Sequence, residues 1–371
     1  MNKPKSSDKP LIILTAGGTG GHVYPAEALA EELEKRNYAL MLITDNRGKD
    51  NYKGKLGQIP NYAVLSGGIV GKSKLFKIKS LAKTFLGIMQ ATWLLWRKKP
   101  LCVVGFGGYA SFPASVAAIL TGTPLVLHEQ NSVMSRTNRL LCKYAEFVAQ
   151  SFKNVKYAPD SKKNVLCGMP VRAAIVEAAK LPYPKISKDT KLQILVLGGS
   201  QGAKIFGEVI PQTIKELGSG FASTIKIYQQ CRKGEEENIL SAYNETPADV
   251  TVSHFFDNMA ELYSSSHIII TRSGASSISE IAVVGLPSIL VPLPSAADDH
   301  QTSNAKELSD AGAGIVIHQS EFNSAKLKDI ILEWSSNPDK LQDMSNAAKK
   351  VGINNAANRF ADEIEKRIVK H

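Results

Sequence analysis

The 371-residue sequence lacks several features that would place it in other classes of protein. Its four cysteines are far apart, with no Cys-x-x-Cys spacing, which argues against a disulfide framework or a zinc site and fits a reducing cytoplasm. No apolar run reaches the roughly 18 residues that a membrane-spanning helix needs, and nothing reads as a signal peptide. The P-loop pattern and any Asp-x-Asp pair are also missing, so we expect no ATPase site, no metal and no cofactor.

Acidic residues are scarce in the first half of the chain. None occurs between Asp50 and Glu129, and residues 1–168 carry 24 Lys and Arg against 10 Asp and Glu, whereas the rest carries 21 against 24. This asymmetry predicts a basic face on the first half. Lysines and apolar residues are interleaved near its centre, in a segment that we expect to contact an anionic membrane surface: Ile69, Val70, Lys72, Lys74, Leu75, Phe76 and Lys77. A solvated helix flank is the alternative, and no motif supports a nucleic acid partner.

A helix is predicted from about residue 73 to 97, because apolar residues recur there at helical spacing. We expect one face of it to pack against the core, with Lys74, Lys77 and Lys83 pointing elsewhere. The residues of this expected core face are Ile78, Leu81, Phe85, Ile88, Thr92 and Leu95.

The same strand–turn–helix pattern occurs twice in the chain. Residues 11–29 and 192–210 each read as a buried strand, a glycine-rich turn and the start of an amphipathic helix. Glycines at such a turn let the backbone approach a phosphate or sugar, and the helix N-terminus adds unpaired N–H groups. Further strands are predicted near 39–44, 101–105, 124–127, 146–149, 224–229, 250–253, 267–270, 288–291 and 314–317.

This alternation of strands and helices predicts an α/β fold with two Rossmann-like, doubly wound parallel-sheet domains facing across a cleft. Ligands are expected at the carboxyl ends of the strands. The expected domains span 1–168 and 169–353. A last helix, about 354–371, either caps the second domain or packs back on the first.

The first glycine turn carries a histidine. Residues 17–21 depart from the dinucleotide-binding pattern, because Val23 stands where the third glycine would be. His22 follows the turn, and near a helix N-terminus its charged form is disfavoured, so we expect a neutral imidazole that can accept a proton. A structural role for this histidine is the alternative.

Polar residues also follow two later strands. Residues 128–131, His-Glu-Gln-Asn, come after a buried strand and are expected to face a ligand. In the second half, Ser273 and Gly274 offer a hydroxyl and free N–H groups at a helix start, a site suited to a pyrophosphate. Glu280, further along that helix, can bind both hydroxyls of a ribose, although a surface helix residue is the alternative.

Five segments, 17–22, 128–131, 198–203, 272–280 and 299–305, together resemble the MurG family of GT-B peptidoglycan N-acetylglucosaminyltransferases, in order and over nearly the whole chain. The resemblance implies an inverting transfer of GlcNAc from UDP-GlcNAc to the MurNAc 4-hydroxyl of lipid I, an undecaprenyl-diphosphate acceptor. The product would be lipid II, with a β-1,4 linkage. It implies a peripheral protein on the cytoplasmic face of the inner membrane, with other cell-wall enzymes as candidate partners.

The resemblance also assigns site residues. His22 is the first candidate for the catalytic base and Glu129 the second. The main chain at Phe256 would read the uracil edge, Phe255 would cover the ring, and Gln301 would bind the GlcNAc hydroxyls. The remaining residues implied to bind UDP-GlcNAc are Thr19, Gly20, Gly21, Asn131, Arg172, Ser200, Ser273, Gly274, Ala275, Ser276, Ser277, Ile278, Ser279 and Glu280. A UDP-GlcNAc 2-epimerase of the same fold, or a nucleotide-binding membrane adaptor without activity, is the alternative function.

Overall fold

The computed structural model describes residues 9–17, 20–46, 52, 54–67, 74–159, 161–187, 190–199 and 202–369. The chain forms two compact units. Unit 1 comprises Met1–Arg172 with Asn355–His371, and unit 2 comprises Ala173–Asn354.

The described strands, numbered along the chain, are β1 Leu11–Thr15, β2 Ala39–Thr44, β3 Asn61–Ala63, β4 Cys102–Gly105, β5 Leu125–Glu129, β6 Phe147–Gln150, β7 Asn164–Leu166, β8 Leu192–Leu197, β9 Ile225–Gln230, β10 Asp249–Ser253, β11 Ile268–Thr271, β12 Ser288–Leu290 and β13 Gly314–Val316. The described α-helices are α1 Gly20–Lys35, α2 Lys55–Gln58, α3 Lys74–Lys98, α4 Gly108–Thr121, α5 Arg136–Leu141, α6 Ala173–Ala178, α7 Lys204–Glu216, α8 Ser219–Ala222, α9 Glu236–Ser241, α10 Met259–Ser265, α11 Ala275–Val284, α12 His300–Ser309, α13 Ser324–Ser335, α14 Pro338–Val351 and α15 Ala356–Ile364. Short 3₁₀ turns cover Cys142–Tyr144, Ala297–Asp299 and Gln319–Glu321, and a π-helical turn, Glu365–Val369, follows α15.

Each unit is built on one parallel sheet. The strand order is β3-β2-β1-β4-β5-β6-β7 in unit 1 and β10-β9-β8-β11-β12-β13 in unit 2. All of the pairings between these strands are parallel. The predicted doubly wound α/β fold and its eleven predicted strands are therefore confirmed. The two unpredicted strands, β3 and β7, have three residues each and lie at the sheet edges.

The sheet of unit 1 is covered on both faces. Ile12 and Leu14 of β1 pack in a core with α1, while Ile13 points to the opposite face and packs in a second core with α3 and α4. This alternation follows from the two-residue period of a strand. In unit 2, Ile194 and Val196 of β8 pack in a core with α7 and α13.

Helix α3 occupies the predicted range, but the predicted core face was wrong. Ile78, Leu81 and Phe85 are 65%, 63% and 61% exposed. The buried side is instead a neighbouring one, formed by Ser80, Thr84, Gly87, Ala91, Leu94 and Leu95. Of the other residues predicted to face the core, Ile88 and Thr92 are half-buried and Leu95 is buried.

Close packing explains why the small side of α3 is the buried one. A Cβ on Gly87 would overlap the carbonyl oxygen of Leu65, so only glycine allows this approach of the two backbones. Ala91 and Leu95 share a core with the alanines of α4. A larger, apolar surface is left outside, consisting of Phe76, Ile78, Leu81, Phe85, Leu86, Met89, Trp93 and Trp96; we call it the α3 apolar face. No helix in the described part of the chain has the length and hydropathy needed to cross a membrane.

The last helix packs within unit 1. Arg36, directly after α1, binds Asp362 at 2.6 Å and Glu365 at 2.8 Å, which ties the end of α1 to the C-terminal segment. Phe360 of α15 is fully buried and packs against Phe106, at the end of β4, and Phe147 of β6. The C-terminal helix is thus part of the core of unit 1.

We predict that Phe360→Ala lowers the free energy of unfolding of unit 1 by about 3–5 kcal/mol, because it opens a cavity in a closed core. Urea unfolding followed by circular dichroism measures this. The control is Phe85→Ala, which removes an exposed ring from the same unit and should change stability by no more than about 0.5 kcal/mol. Equal effects of the two substitutions would contradict the core role of Phe360.

Candidate functional site

Both units place their candidate site at the same point of the sheet. Thr15 at the end of β1 lies opposite Gly105 of β4, and Leu197 of β8 lies opposite Thr271 of β11. These are the positions where strand order reverses, and loops diverge there to leave a crevice. The same backbone hydrogen bond closes each position: Phe106 N to Thr15 O at 2.9 Å, and Arg272 N to Leu197 O at 3.3 Å.

In unit 1, His22 lies in the first turn of α1, after Gly20 and Gly21. Burial lowers the pKa of His22, and the Phe106 backbone carbonyl opposes this only in part. Its Nδ1 is buried without a hydrogen-bond partner among the described residues. The imidazole is therefore neutral near pH 7 and can accept a proton.

The His22 ring rests against a pair of glycines at the start of α4. Gly107 and Gly108 have φ values of 76° and 77°, which residues with a Cβ rarely adopt. A Cβ on Gly107 would lie 3.6 Å from His22 Cε1, and one on Gly108 would lie 3.5 Å from Nε2. The turn after β4 thus lies directly beside the imidazole.

Glu129 is completely buried, and its carboxylate binds the loop that follows β5. Oε1 accepts a hydrogen bond from Asn131 N at 3.1 Å, and Oε2 accepts from Ser135 N at 2.8 Å and from Asn138 Nδ2 at 2.8 Å. Burial raises the pKa of Glu129, and these hydrogen bonds oppose the shift. The carboxylate thereby determines where Asn131 lies.

Two side-chain amides, those of Gln130 and Asn138, bind backbone groups at the ends of β4 and β5. Gln130 Nε2 donates to Phe106 O at 2.6 Å, and Asn138 Nδ2 donates to His128 O at 2.9 Å as well as to Glu129. A Cβ on Gly107 would lie within 4 Å of both amide groups. The structure therefore brings His22, Glu129 and Asn131 into one neighbourhood of unit 1.

His128 lies inside the core rather than facing outward. It is fully buried, and burial lowers its pKa to about 3. Its ring stacks on Phe360, with ring centroids 5.5 Å apart, and its Nε2 is 3.2 Å from Ser151 Oγ. We assign it a packing role beneath the site.

In unit 2, the turn between β11 and α11 and the first turn of that helix carry buried hydroxyls. Ser273 Oγ and Ser276 Oγ are buried without a hydrogen-bond partner among the described residues. Asn304 Nδ2 donates to Ser273 O at 3.1 Å. Gln301 Oε1 accepts from Ser273 N at 3.2 Å and from Leu293 N at 3.0 Å, so the side chain of Gln301 bridges two loops.

Arg272 supports this turn from below. Its guanidinium is buried, which lowers its pKa, and it donates to the carbonyls of Val291 at 3.1 Å and Pro292 at 3.2 Å. It also donates to Gln319 Oε1 at 2.6 Å. All of these groups belong to unit 2, so the Arg272 guanidinium stabilises the loops after β12 and β13.

The remaining candidates lie at three other places. Phe255 and Phe256 follow β10 at the same edge of the sheet; the Phe255 ring is exposed, and the Phe256 ring packs on Tyr228. Arg172 lies in unit 1, where its guanidinium stands 4.7 Å from the centre of the Tyr24 ring. Glu280 is buried on α11, which also carries the candidates Ala275, Ser276, Ser277, Ile278 and Ser279.

Several candidates fall outside the described residues, namely Thr19, Ser200, Ile69, Val70 and Lys72. Of the same membrane segment, the backbone of Lys74, Leu75 and Lys77 is described without their side chains. Phe76 is partly exposed at the start of α3.

Sequence reasoning missed Asn138 and Tyr263, which bind the candidate carboxylates Glu129 and Glu280. Asn138 lies on α5, where Ser135 caps the helix by accepting from Asn138 N. That cap has a recognisable sequence signal, but the bonds from the Asn138 side chain to β5 do not. Tyr263 on α10 donates from its hydroxyl to Glu280 Oε2 at 3.0 Å.

Comparison with known proteins assigns the family. The chain is similar to the glycosyltransferase family 28 N-terminal domain over residues 12–150 and to the family 28 C-terminal domain over residues 193–362. It is 43% identical, over 96% of both chains, to the UDP-N-acetylglucosamine–N-acetylmuramyl-(pentapeptide) pyrophosphoryl-undecaprenol N-acetylglucosamine transferase of Paramagnetospirillum magneticum. The transferase of the same name from Rhodospirillum rubrum is 40% identical over 95% of this chain and 90% of that protein. The chain belongs to the MurG family.

Solved structures agree with this assignment. MurG of Acinetobacter baumannii superposes with a TM-score of 0.77 at 32% identity, covering 96% of this chain and 99% of that one. A UDP-GlcNAc 2-epimerase from Neisseria meningitidis has a TM-score of 0.68 at 18% identity, over 96% of this chain and all of that one. The epimerase is similar to this chain in fold alone, whereas the MurG proteins are similar to it in both fold and sequence.

We predict that Glu129→Gln destabilises unit 1 by about 1–3 kcal/mol, because the new amide N–H₂ faces the donors that the carboxylate now satisfies. The amides of Asn131 and Ser135 should then exchange hydrogen faster, which mass spectrometry of deuterated peptides detects. Glu146→Gln, an exposed change just before β6, is the control and should alter neither property. Unchanged exchange in Glu129→Gln would refute the role of Glu129 in holding this loop.

Proposed function

We propose that this protein transfers GlcNAc from UDP-GlcNAc to the MurNAc 4-hydroxyl of a pyrophosphoryl-undecaprenol-linked acceptor. The observation that carries the proposal is the neutral, positioned His22 in a chain that matches named transferases over 96% of its length. The proposed reaction inverts the anomeric carbon, gives a β-1,4 bond and releases UDP, in keeping with a role in peptidoglycan synthesis.

His22 is the proposed general base. The acceptor hydroxyl forms a bond to the anomeric carbon as the bond from that carbon to the UDP oxygen breaks, and the hydroxyl proton passes to the imidazole. A base must be unprotonated at the working pH, which the lowered pKa of His22 provides. Glu129 is less suited, because both of its oxygens already accept hydrogen bonds from its own loop. We assign Glu129 the task of placing Asn131.

Unit 2 is the proposed donor-binding unit. The N-terminus of α11 carries a partial positive charge, and the Ser273 and Ser276 hydroxyls are buried beside it. Such a turn suits the diphosphate. Glu280, further along α11, would take the ribose hydroxyls, and the Gln301 amide nitrogen would serve the sugar, since its oxygen is bound to Ser273 N and Leu293 N.

The alternative functions have weaker support. The likeness to the 2-epimerase is at 18% identity and concerns the fold alone. A nucleotide-binding adaptor without activity does not require a neutral histidine beside Gly107 and Gly108.

The test is transfer of labelled GlcNAc to a short-chain acceptor analogue. His22→Ala should lower kcat by about 10²-fold or more while UDP affinity stays the same, because a base acts in the transition state. The parent kcat should hold as the pH falls to about 6.5, the ordinary imidazole value, and decline only below it, since protonation removes the base.

His318→Ala, an exposed histidine of unit 2, is the control and should keep the parent rate. A His22→Ala variant with near-parental kcat would refute the base assignment. Epimerised UDP-sugar without an acceptor, or no transfer by the parent protein, would refute the proposed reaction.

We further propose that the α3 apolar face binds an anionic membrane, which would place the protein at the cytoplasmic face of the inner membrane as a peripheral protein. Eight large apolar side chains are exposed there. Such a concentration marks an interaction surface rather than ordinary surface composition. Lys79, Lys83 and Arg97, all exposed, lie along one flank of this face at helical spacing, as expected for a helix that lies on anionic lipid headgroups. In the sequence, the residues of this face overlap and follow the interleaved segment that begins at Ile69.

We predict that Phe85→Gln with Trp93→Gln weakens binding to anionic vesicles at least tenfold, because burying each ring contributes about 1.5–3 kcal/mol. Lys79→Gln with Lys83→Gln should weaken binding less and reduce its salt dependence. Vesicle sedimentation measures both effects. Leu332→Gln with Val351→Gln, exposed apolar changes in unit 2, is the control. Unchanged sedimentation, or a dimer that the Phe85 and Trp93 changes dissociate, would contradict a membrane as the occupant.

A further inference from the structure

Tyr263 and Glu280 form a buried pair in unit 2. Tyr263 is 1% exposed and Glu280 is 6% exposed. The Tyr263 hydroxyl donates to Glu280 Oε2 at 3.0 Å, across the 17 residues that separate them in the chain. Helix α10, which carries Tyr263, packs against α6, α11 and β8, so the phenol ring is held from several sides.

A carboxylate on a helix has several rotamers, and a hydrogen bond from a fixed donor selects among them. A buried phenol hydroxyl is such a donor, because its aromatic ring has only two side-chain torsions and both are restricted by packing. The bond to Oε2 therefore fixes the plane of the Glu280 carboxylate. A diol that binds a carboxylate needs that plane to be set, since its two hydroxyls must meet the acceptor oxygens together.

We propose that Tyr263 is a positioning residue that orients Glu280 toward the ribose diol of the donor nucleotide, and so sets the preference for a ribonucleotide over a 2′-deoxyribonucleotide. This inference rests on the proposed function, in which Glu280 binds that diol. Tyr263 acts through Glu280 and touches no substrate.

The chain offers a matched control for this role. Tyr243 is also a buried tyrosine of unit 2, and its hydroxyl donates to Gln229 Oε1, a side chain of β9. Tyr243→Phe and Tyr263→Phe remove the same atom from similarly buried sites. Only the second change removes a bond to the proposed ribose-binding carboxylate.

The experiment measures the dissociation constants of UDP and 2′-deoxy-UDP by calorimetry, together with the kinetics of transfer from UDP-GlcNAc. The parent should bind UDP more tightly than 2′-deoxy-UDP. Tyr263→Phe should reduce this ratio about tenfold, the effect of losing one hydrogen bond of ordinary strength. It should also raise KM for UDP-GlcNAc and leave kcat near the parent value. Tyr243→Phe should keep the parent ratio, whatever its effect on the melting temperature.

Glu280→Ala separates this inference from the proposed function. Glu280→Ala should remove the preference for UDP over 2′-deoxy-UDP. Adding Tyr263→Phe to the Glu280→Ala variant should cause no further change. A parent that transfers GlcNAc and prefers UDP, with a Tyr263→Phe variant that keeps the ratio or weakens both ligands equally, overturns the inference alone. A parent that fails to transfer, or a Glu280→Ala variant that keeps the ratio, overturns the proposed function or its ribose site and the inference with it.

Discussion

The strand order of the two sheets is the constraint on which the rest of each unit depends. Because β4 pairs with β1, and β11 with β8, each unit has one point where the loops leave the sheet in opposite directions. Equivalent backbone bonds, Phe106 N to Thr15 O and Arg272 N to Leu197 O, close that point. The His22 turn and the Gly107 turn meet only because their strands are neighbours. A different order would leave the same residues far apart.

The two units place different chemical groups at this shared position. In unit 1 the edge holds a neutral imidazole and a carboxylate whose oxygens are bound by their own loop, an arrangement suited to moving one proton. In unit 2 the edge holds a helix N-terminus with buried Ser273 and Ser276 hydroxyls, which suits an anion. Arg272 lies beneath, bound to carbonyls of the neighbouring loops. The proposed division into a base-bearing unit and a donor-binding unit follows from these local differences.

The fold was predictable because its signals are local. Buried apolar runs and glycine turns predicted eleven strands, whereas β3 and β7 have no fully buried residue and therefore show no buried apolar run. The position of His22 could also be predicted, since it follows directly from the turn. The bonds from Asn138 to Glu129 and from Tyr263 to Glu280 could not, because each joins separate elements whose register only the folded unit defines. Side-chain hydrogen bonds of this kind produce no periodic pattern of residues in the sequence.

The wrong core face of α3 has a different cause. A hydrophobic period shows that a helix has an apolar side, but it does not show what covers that side. Here the side with small residues is buried, because Gly87 lets the helix approach Leu65 and Ala91 packs in a core with the alanines of α4. The larger apolar residues, including Phe85 and Trp93, are consequently left exposed. Burying them against the sheet would push α3 away from these neighbours and open the core. Tight packing within unit 1 therefore accounts for the exposed face that we propose binds the membrane.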